Sequence, residues 1–164
     1  EIFVIPAGDV PASAVAFLGE GALAVSVSKD KRLRLWNALD GSPVGTFDVA
    51  VDALRSLALT ADGRLAVLGG GGSEVHVWDL SQAKVLRVLR VERGVSSLAL
   101  SPDGRRAAAS DEKGVVRVWD VRTGELARVF EAHRDGAVAS ISFVLEGTML
   151  LTGAADGTVA MWEV

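Results

Sequence analysis

The side chains able to do chemistry in this chain are few. Among 164 residues only His76 and His133 carry imidazole, and there is no cysteine. Thiolate catalysis, disulfides and zinc–thiolate centres are therefore excluded, and two histidines alone make a poor zinc set. Asp30, Asp62, Asp103 and Asp156 offer carboxylates for acid–base work. Each sits in a turn, however, where aspartate is expected for backbone hydrogen bonding. Gly69–Gly72 is the nearest thing to a phosphate cradle, which needs Lys-Ser/Thr and a helix after it. Ser73-Glu74 and a strand-forming stretch follow instead, so the glycines read as a widened turn. Ser96, Ser97 and Ser140 lack the G-x-S-x-G setting of a nucleophile elbow. No constellation here makes an enzyme, and neither a metal nor a cofactor is expected.

The elements that carry these residues are copies of one unit. Tryptophan occurs at 36, 78, 119 and 162, at intervals of 42, 41 and 43 residues. Gly21, Gly63, Gly104 and Gly147 keep the same step, each fifteen residues before a tryptophan. Two landmarks in phase at this period mark a repeat architecture. Within each copy, five to eight apolar residues alternate with polar ones and end at Gly, Asp or Ser. That is the period-two pattern of half-buried strands. Ala61-Asp62-Gly63 and Pro102-Asp103-Gly104 are tight turns whose glycine takes positive φ without steric cost. Four short strands per copy cannot bury both faces alone, so neighbouring units must stack about an axis. The expected fold is all-β, with four blades of four antiparallel strands each. Repeats run approximately 6–47, 48–89, 90–130 and 131–164, with 1–5 as a closing outer strand.

The chain resembles the WD40 β-propeller family over essentially its whole length. The naming dipeptide stands at Trp78-Asp79 and Trp119-Asp120 and drifts to Trp36-Asn37 and Trp162-Glu163. The resemblance implies a hydrogen-bonded set of histidine, Ser/Thr, turn aspartate and tryptophan. The last copy matches at His133, Thr152, Asp156 and Trp162, and the first keeps Ser26, Asp30 and Trp36. Leu68 and Gly72 fall at the Thr and Asp positions of the second copy, Ala109 and Lys113 at those of the third. Those two blades are expected to hold by packing alone. The position two before each tryptophan holds Arg34, His76, Arg117 and Ala160, which reads as an ordinary face position. Three closures stay open: part of a larger propeller, a homodimer completing an eight-bladed ring, or a four-bladed ring closed through Ile2–Ile5.

By the same resemblance, loops joining strand d to a and b to c gather at one end and meet partners. Their charged members Lys29, Asp52, Arg93, Glu112, Arg134 and Asp135 are the candidate partner-binding residues. They mix sign and specify no ligand. The net charge of −4 argues against nucleic acid, whose binders present a basic face. No apolar run is long enough for a membrane helix. The expected function is a non-catalytic scaffold binding a protein or peptide partner, as a docking or sensing part of a larger signalling protein in the cytoplasm. The alternative is a propeller enzyme or a small-molecule module using the central channel.

Overall fold

The computed structural model describes residues 4, 9–18, 22–134 and 136–164. Strands β1 (Ala12–Leu18), β2 (Leu23–Ser28), β3 (Arg32–Asn37) and β4 (Pro43–Asp48) form the first sheet in that spatial order. The second contains β5 (Leu54–Leu59), β6 (Leu65–Gly70), β7 (Glu74–Asp79) and β8 (Lys84–Arg90). The third contains β9 (Val95–Leu100), β10 (Arg106–Asp111), β11 (Val115–Asp120) and β12 (Leu126–Glu131). The fourth has three strands, β13 (Val138–Val144), β14 (Met149–Ala154) and β15 (Val159–Glu163). All pairings are antiparallel meanders of consecutive strands. The fourth strand expected here, from Ile2–Ile5, lies outside the described residues except for Val4, which is exposed and in no strand. Gly21 also lies outside them.

Alternation explains how the second and third sheets each bury both faces. In β7, Val75 and Val77 point into a core shared with Leu98 and Trp119 of the third sheet. On the other face, Trp78 and Leu68 join Val25, Val27 and Leu33 of the first sheet. A third core holds Ala108, Val116 and Val118 with Ile141, Phe143 and Leu150. Each of Trp78, Trp119 and Trp162 thus packs towards the sheet before its own. Burial of these large apolar surfaces is the main force joining one blade to the next. Gly63 (φ 68°) and Gly104 (φ 69°) take the left-handed conformation at their turns.

The innermost strands pack in sequence, β1 on β5, β5 on β9 and β9 on β13, with no comparable packing of β13 on β1 among the described residues. Among the described residues the blades therefore form an arc and not a closed ring. Apolar side chains stand exposed on both outward sheet faces, although Arg34 and Trp36 on that of the first sheet are buried. Val15 and Phe17 of β1 are 74% and 72% exposed, and Val159 and Met161 of β15 are 71% and 56% exposed.

Candidate functional site

The fourth blade holds a continuous chain of hydrogen bonds. Trp162 Nε1 donates to Thr152 Oγ1 at 2.9 Å, and Thr152 Oγ1 lies 2.8 Å from His133 Nε2. His133 Nδ1 lies 3.0 Å from Asp156 Oδ2 and 3.0 Å from Thr158 Oγ1. The carboxylate assigns the imidazole proton to Nδ1, which leaves Nε2 to accept the Thr152 hydroxyl proton. Thr152 and His133 are buried, where an unpaired polar group is costly. Thr158, which the sequence reading did not single out, closes the turn. Its N–H (2.8 Å) and hydroxyl (2.7 Å) donate to Asp156 Oδ1.

The Thr158 hydroxyl and then its N–H hold the Asp156 carboxyl below its ordinary value of 3.8 against an opposing desolvation, and His133 adds a weaker pull in the same direction. A carboxyl depressed on folding adds stability above its unfolded pKa, and that stability is lost as pH falls through the folded value. Asp30, depressed chiefly by Arg34, acts in the same sense. The melting temperature should therefore hold between about pH 7 and pH 5 and drop below about pH 4. Asp156→Asn should shallow that acid limb when melts are followed by circular dichroism. An acid limb identical to that of the parent chain would exclude this role.

The first blade divides its set in two. Trp36 Nε1 donates to Ser26 Oγ at 2.8 Å. Asp30 meets no histidine; Arg34 reaches it instead, with Nη2 at 2.5 Å from Oδ2 while Nη1 donates to Ser28 Oγ at 2.8 Å. In the third blade, Arg117 Nη1 donates to Asp111 Oδ2 at 3.1 Å, and Nη2 lies 3.1 Å from Glu92. Asp111 also caps the backbone N–H groups of Lys113 and Val115. Two expectations are corrected here. The third blade is not held by packing alone, because its carboxylate comes from the end of β10, two residues before Lys113. The position two before each tryptophan is not an ordinary face in the first three blades: Arg34, His76 and Arg117 are all buried.

The second blade has the gap. With Leu68 in place of a hydroxyl, Trp78 Nε1 is buried without a partner, as is His76 Nδ1. Trp78→Phe removes an unsatisfied donor, so it should be neutral to within about 1 kcal/mol after the smaller ring's lost contacts. Trp36→Phe orphans Ser26 and should cost about 1–2 kcal/mol more by urea melts. Equal losses in the two variants would contradict the assignment.

On the loop face, Arg93 and Glu112 line a hollow of about 210 Å³ with Arg55, Lys113, Gly71 and Gly94. Glu112 and Arg134 line an adjoining one of about 320 Å³ with Lys113. Arg55 Nη1 approaches Glu112 at 3.5 Å. Arg93, Glu112 and Arg134 are thus brought together. Asp52 is separate, paired with Lys31 at 2.6 Å in another hollow. Lys29 is exposed and lines none of these, and Asp135 lies outside the described residues. Inner-strand serines tie blades together: Ser56 Oγ accepts from Leu98 N (3.1 Å), and Ser96 Oγ donates to Val138 O (2.8 Å). Among the described residues no cluster of His, Asp and Glu could hold a metal, and no helix is long and apolar enough to cross a membrane. A larger groove of about 690 Å³ opens at the other end, between the second and third blades. The sequence reading missed it.

The family described as WD domain, G-beta repeat matches residues 4–37, 83–120 and 124–163, most of the chain. The chain belongs to the WD40 repeat family. The stretch left unmatched, 38–82, contains Leu68, Gly72 and the unpartnered Trp78. WD40 repeats are generally non-catalytic scaffolds, and the four stacked sheets have the architecture of their blades. The chain is also 29% identical over 76 residues to eukaryotic translation initiation factor 3 subunit I of Drosophila yakuba, 46% of this chain and 24% of that protein. The Drosophila ananassae protein of the same name is 30% identical over 67 residues, 41% of this chain and 21% of its own. The chain spans less than a quarter of the length of these relatives.

Proposed function

We propose that this WD40 chain is a protein-interaction scaffold whose b–c and d–a loops dock a peptide or domain partner. The observation that carries the reading is the convergence of Arg93, Glu112 and Arg134, with Arg55 and Lys113, on two adjoining hollows of one face. Hollows on loops held by rigid sheets are where binding residues concentrate. The bare faces of β1 and β15 support a second element of the proposal. Further blades, from a longer chain or a second copy, cover them and complete the propeller. The module then serves as the docking or sensing part of a larger signalling protein, with the cytoplasm as its compartment.

The test is site-specific photocrosslinking from Arg93 and Arg134, with Leu126 on an outer strand as reference. A defined partner should crosslink from the two loop positions only, and Arg93→Glu with Arg134→Glu should abolish its binding. Equal crosslinking from Leu126 would sink the reading. Light scattering addresses completion: a stable 17 kDa monomer that exposes no apolar surface to a hydrophobic dye would exclude the covering of β1 and β15.

A further inference from the structure

We propose that the groove between the second and third blades, at the end opposite the b–c and d–a loops, docks an acidic, extended peptide segment of a partner protein. The groove has about twice the volume of the larger loop-face hollow, about 690 Å³ against about 320 Å³. Its opening has a specific cause. Leu65 pairs in register with Asp79, and Arg106 stands at the same place opposite Asp120 one blade later. Arg106 reaches across to the fourth blade and donates to the carbonyls of Gly147 and Val164. Leucine has neither the reach nor the donors, so the preceding junction stays open.

Charge decides what the groove accepts. Five cations line it, Arg64, Lys84, Arg87, Arg105 and Arg122, against three carboxylates, Asp62, Asp79 and Asp103. All three carboxylates are consumed by their own turns. Asp62 accepts from the Thr60 hydroxyl (2.5 Å) and Arg64 N (2.9 Å). Asp79 accepts from the Ser81 hydroxyl (2.5 Å) and Gln82 N (3.1 Å), and Asp103 from the Ser101 hydroxyl (2.6 Å) and Arg105 N (3.0 Å). Arg64 and Arg105 lean on Asp79 and Asp103 at 3.8 and 3.7 Å. Lys84, Arg87 and Arg122 have no carboxylate within ion-pair distance among the described residues. Arg87 instead donates across the junction to the carbonyl of Arg122 (2.7 Å) and, within its own strand, to that of Leu86 (2.8 Å).

The result is a local excess of two positive charges on a chain whose net charge is −4. Leu65, Leu86 and Val121 supply an apolar floor between the cations. An extended peptide suits this layout, because alternate side chains can reach the cations while the others rest on the floor. A nucleic acid is disfavoured by the negative balance of the rest of the molecule.

The probe is a fluorescein-labelled hexaglutamate peptide, followed by anisotropy at about 20 mM ionic strength, where screening is weak. Saturable binding is expected, with none by the hexaglutamine counterpart. Lys84→Glu with Arg122→Glu should weaken binding at least about tenfold. Leu65→Trp should weaken it too, by filling the groove without changing its charge. Arg93→Glu with Arg134→Glu should bind as the parent does, so failure here and failure of the loop-face reading are told apart. Near-UV circular dichroism confirms that each variant is folded. No saturable binding by the parent chain would overturn the proposal. So would undiminished binding by the folded Lys84/Arg122 variant or by Leu65→Trp, or displacement of the peptide by single-stranded DNA at equal charge concentration.

Discussion

Gly114→Ala is expected to cost about 3–5 kcal/mol, summing backbone strain and forced displacement. Gly114 has φ 78°, and a Cβ there would stand 1.7 Å from the carbonyl oxygen of His133 and 2.8 Å from its carbon. The obstacle is backbone, so no rotamer change can relieve it. The Gly114 carbonyl also accepts from Ala132 N (2.8 Å) and His133 N (3.3 Å). Moving that segment therefore breaks two hydrogen bonds and withdraws His133 from Thr152 and Asp156. Gly157 is the internal control. It stands at the same place five residues before its tryptophan, with φ 83°, but nothing lies within 4 Å of its Cβ position. Gly157→Ala should cost only the left-handed conformation, about 1–2 kcal/mol. Urea melts of the pair measure the difference, and equal losses would mean that the overlap at Gly114 relaxes freely.

Thr152→Val is expected to cost about 2–6 kcal/mol, from two polar groups orphaned at about 1–3 kcal/mol each. Valine matches threonine in shape, so no cavity forms. What disappears is the hydroxyl between Trp162 Nε1 and His133 Nε2. Thr152→Ser keeps the hydroxyl and loses one methyl, and should recover much of the loss. If Thr152→Ser proves as damaging as Thr152→Val, packing of the methyl outweighs the hydrogen bonds.

Repeat and strand pattern were legible because both depend on periodicities that recur four times. Each strand alternation carries its own check in the next copy. The fourth-blade set was legible residue by residue, since His133, Thr152, Asp156 and Trp162 all stand at the places the WD40 resemblance assigns. The first and third blades were harder to read for a physical reason. What the turn carboxylate needs is a donor, and an arginine two residues before the tryptophan supplies one as well as histidine does. Arg34 and Arg117 do so for Asp30 and Asp111. Reading the position column by column makes it look tolerant. Reading the charge shows that it is paired. The groove was invisible because it follows from a side chain that is too short: Leu65 stands where Arg106 spans the next junction.

The sequential contact of the four sheets has a consequence for how this protein comes apart. Each sheet leans only on the one before and the one after, so opening can start at either end and need not involve the whole. In such a quasi-linear array, stability is close to a sum of unit and nearest-neighbour terms. The first and fourth sheets, each packed against one other sheet, carry the tryptophan–hydroxyl bonds of Trp36 and Trp162, whereas the second, packed against two, leaves Trp78 unpaired. Amide exchange should accordingly be graded, with protection rising from the outer sheets towards β6, β7 and β10. Covering the bare faces of β1 and β15 would flatten that gradient, so the slope of protection along the chain is itself a readout of whether the ring is complete.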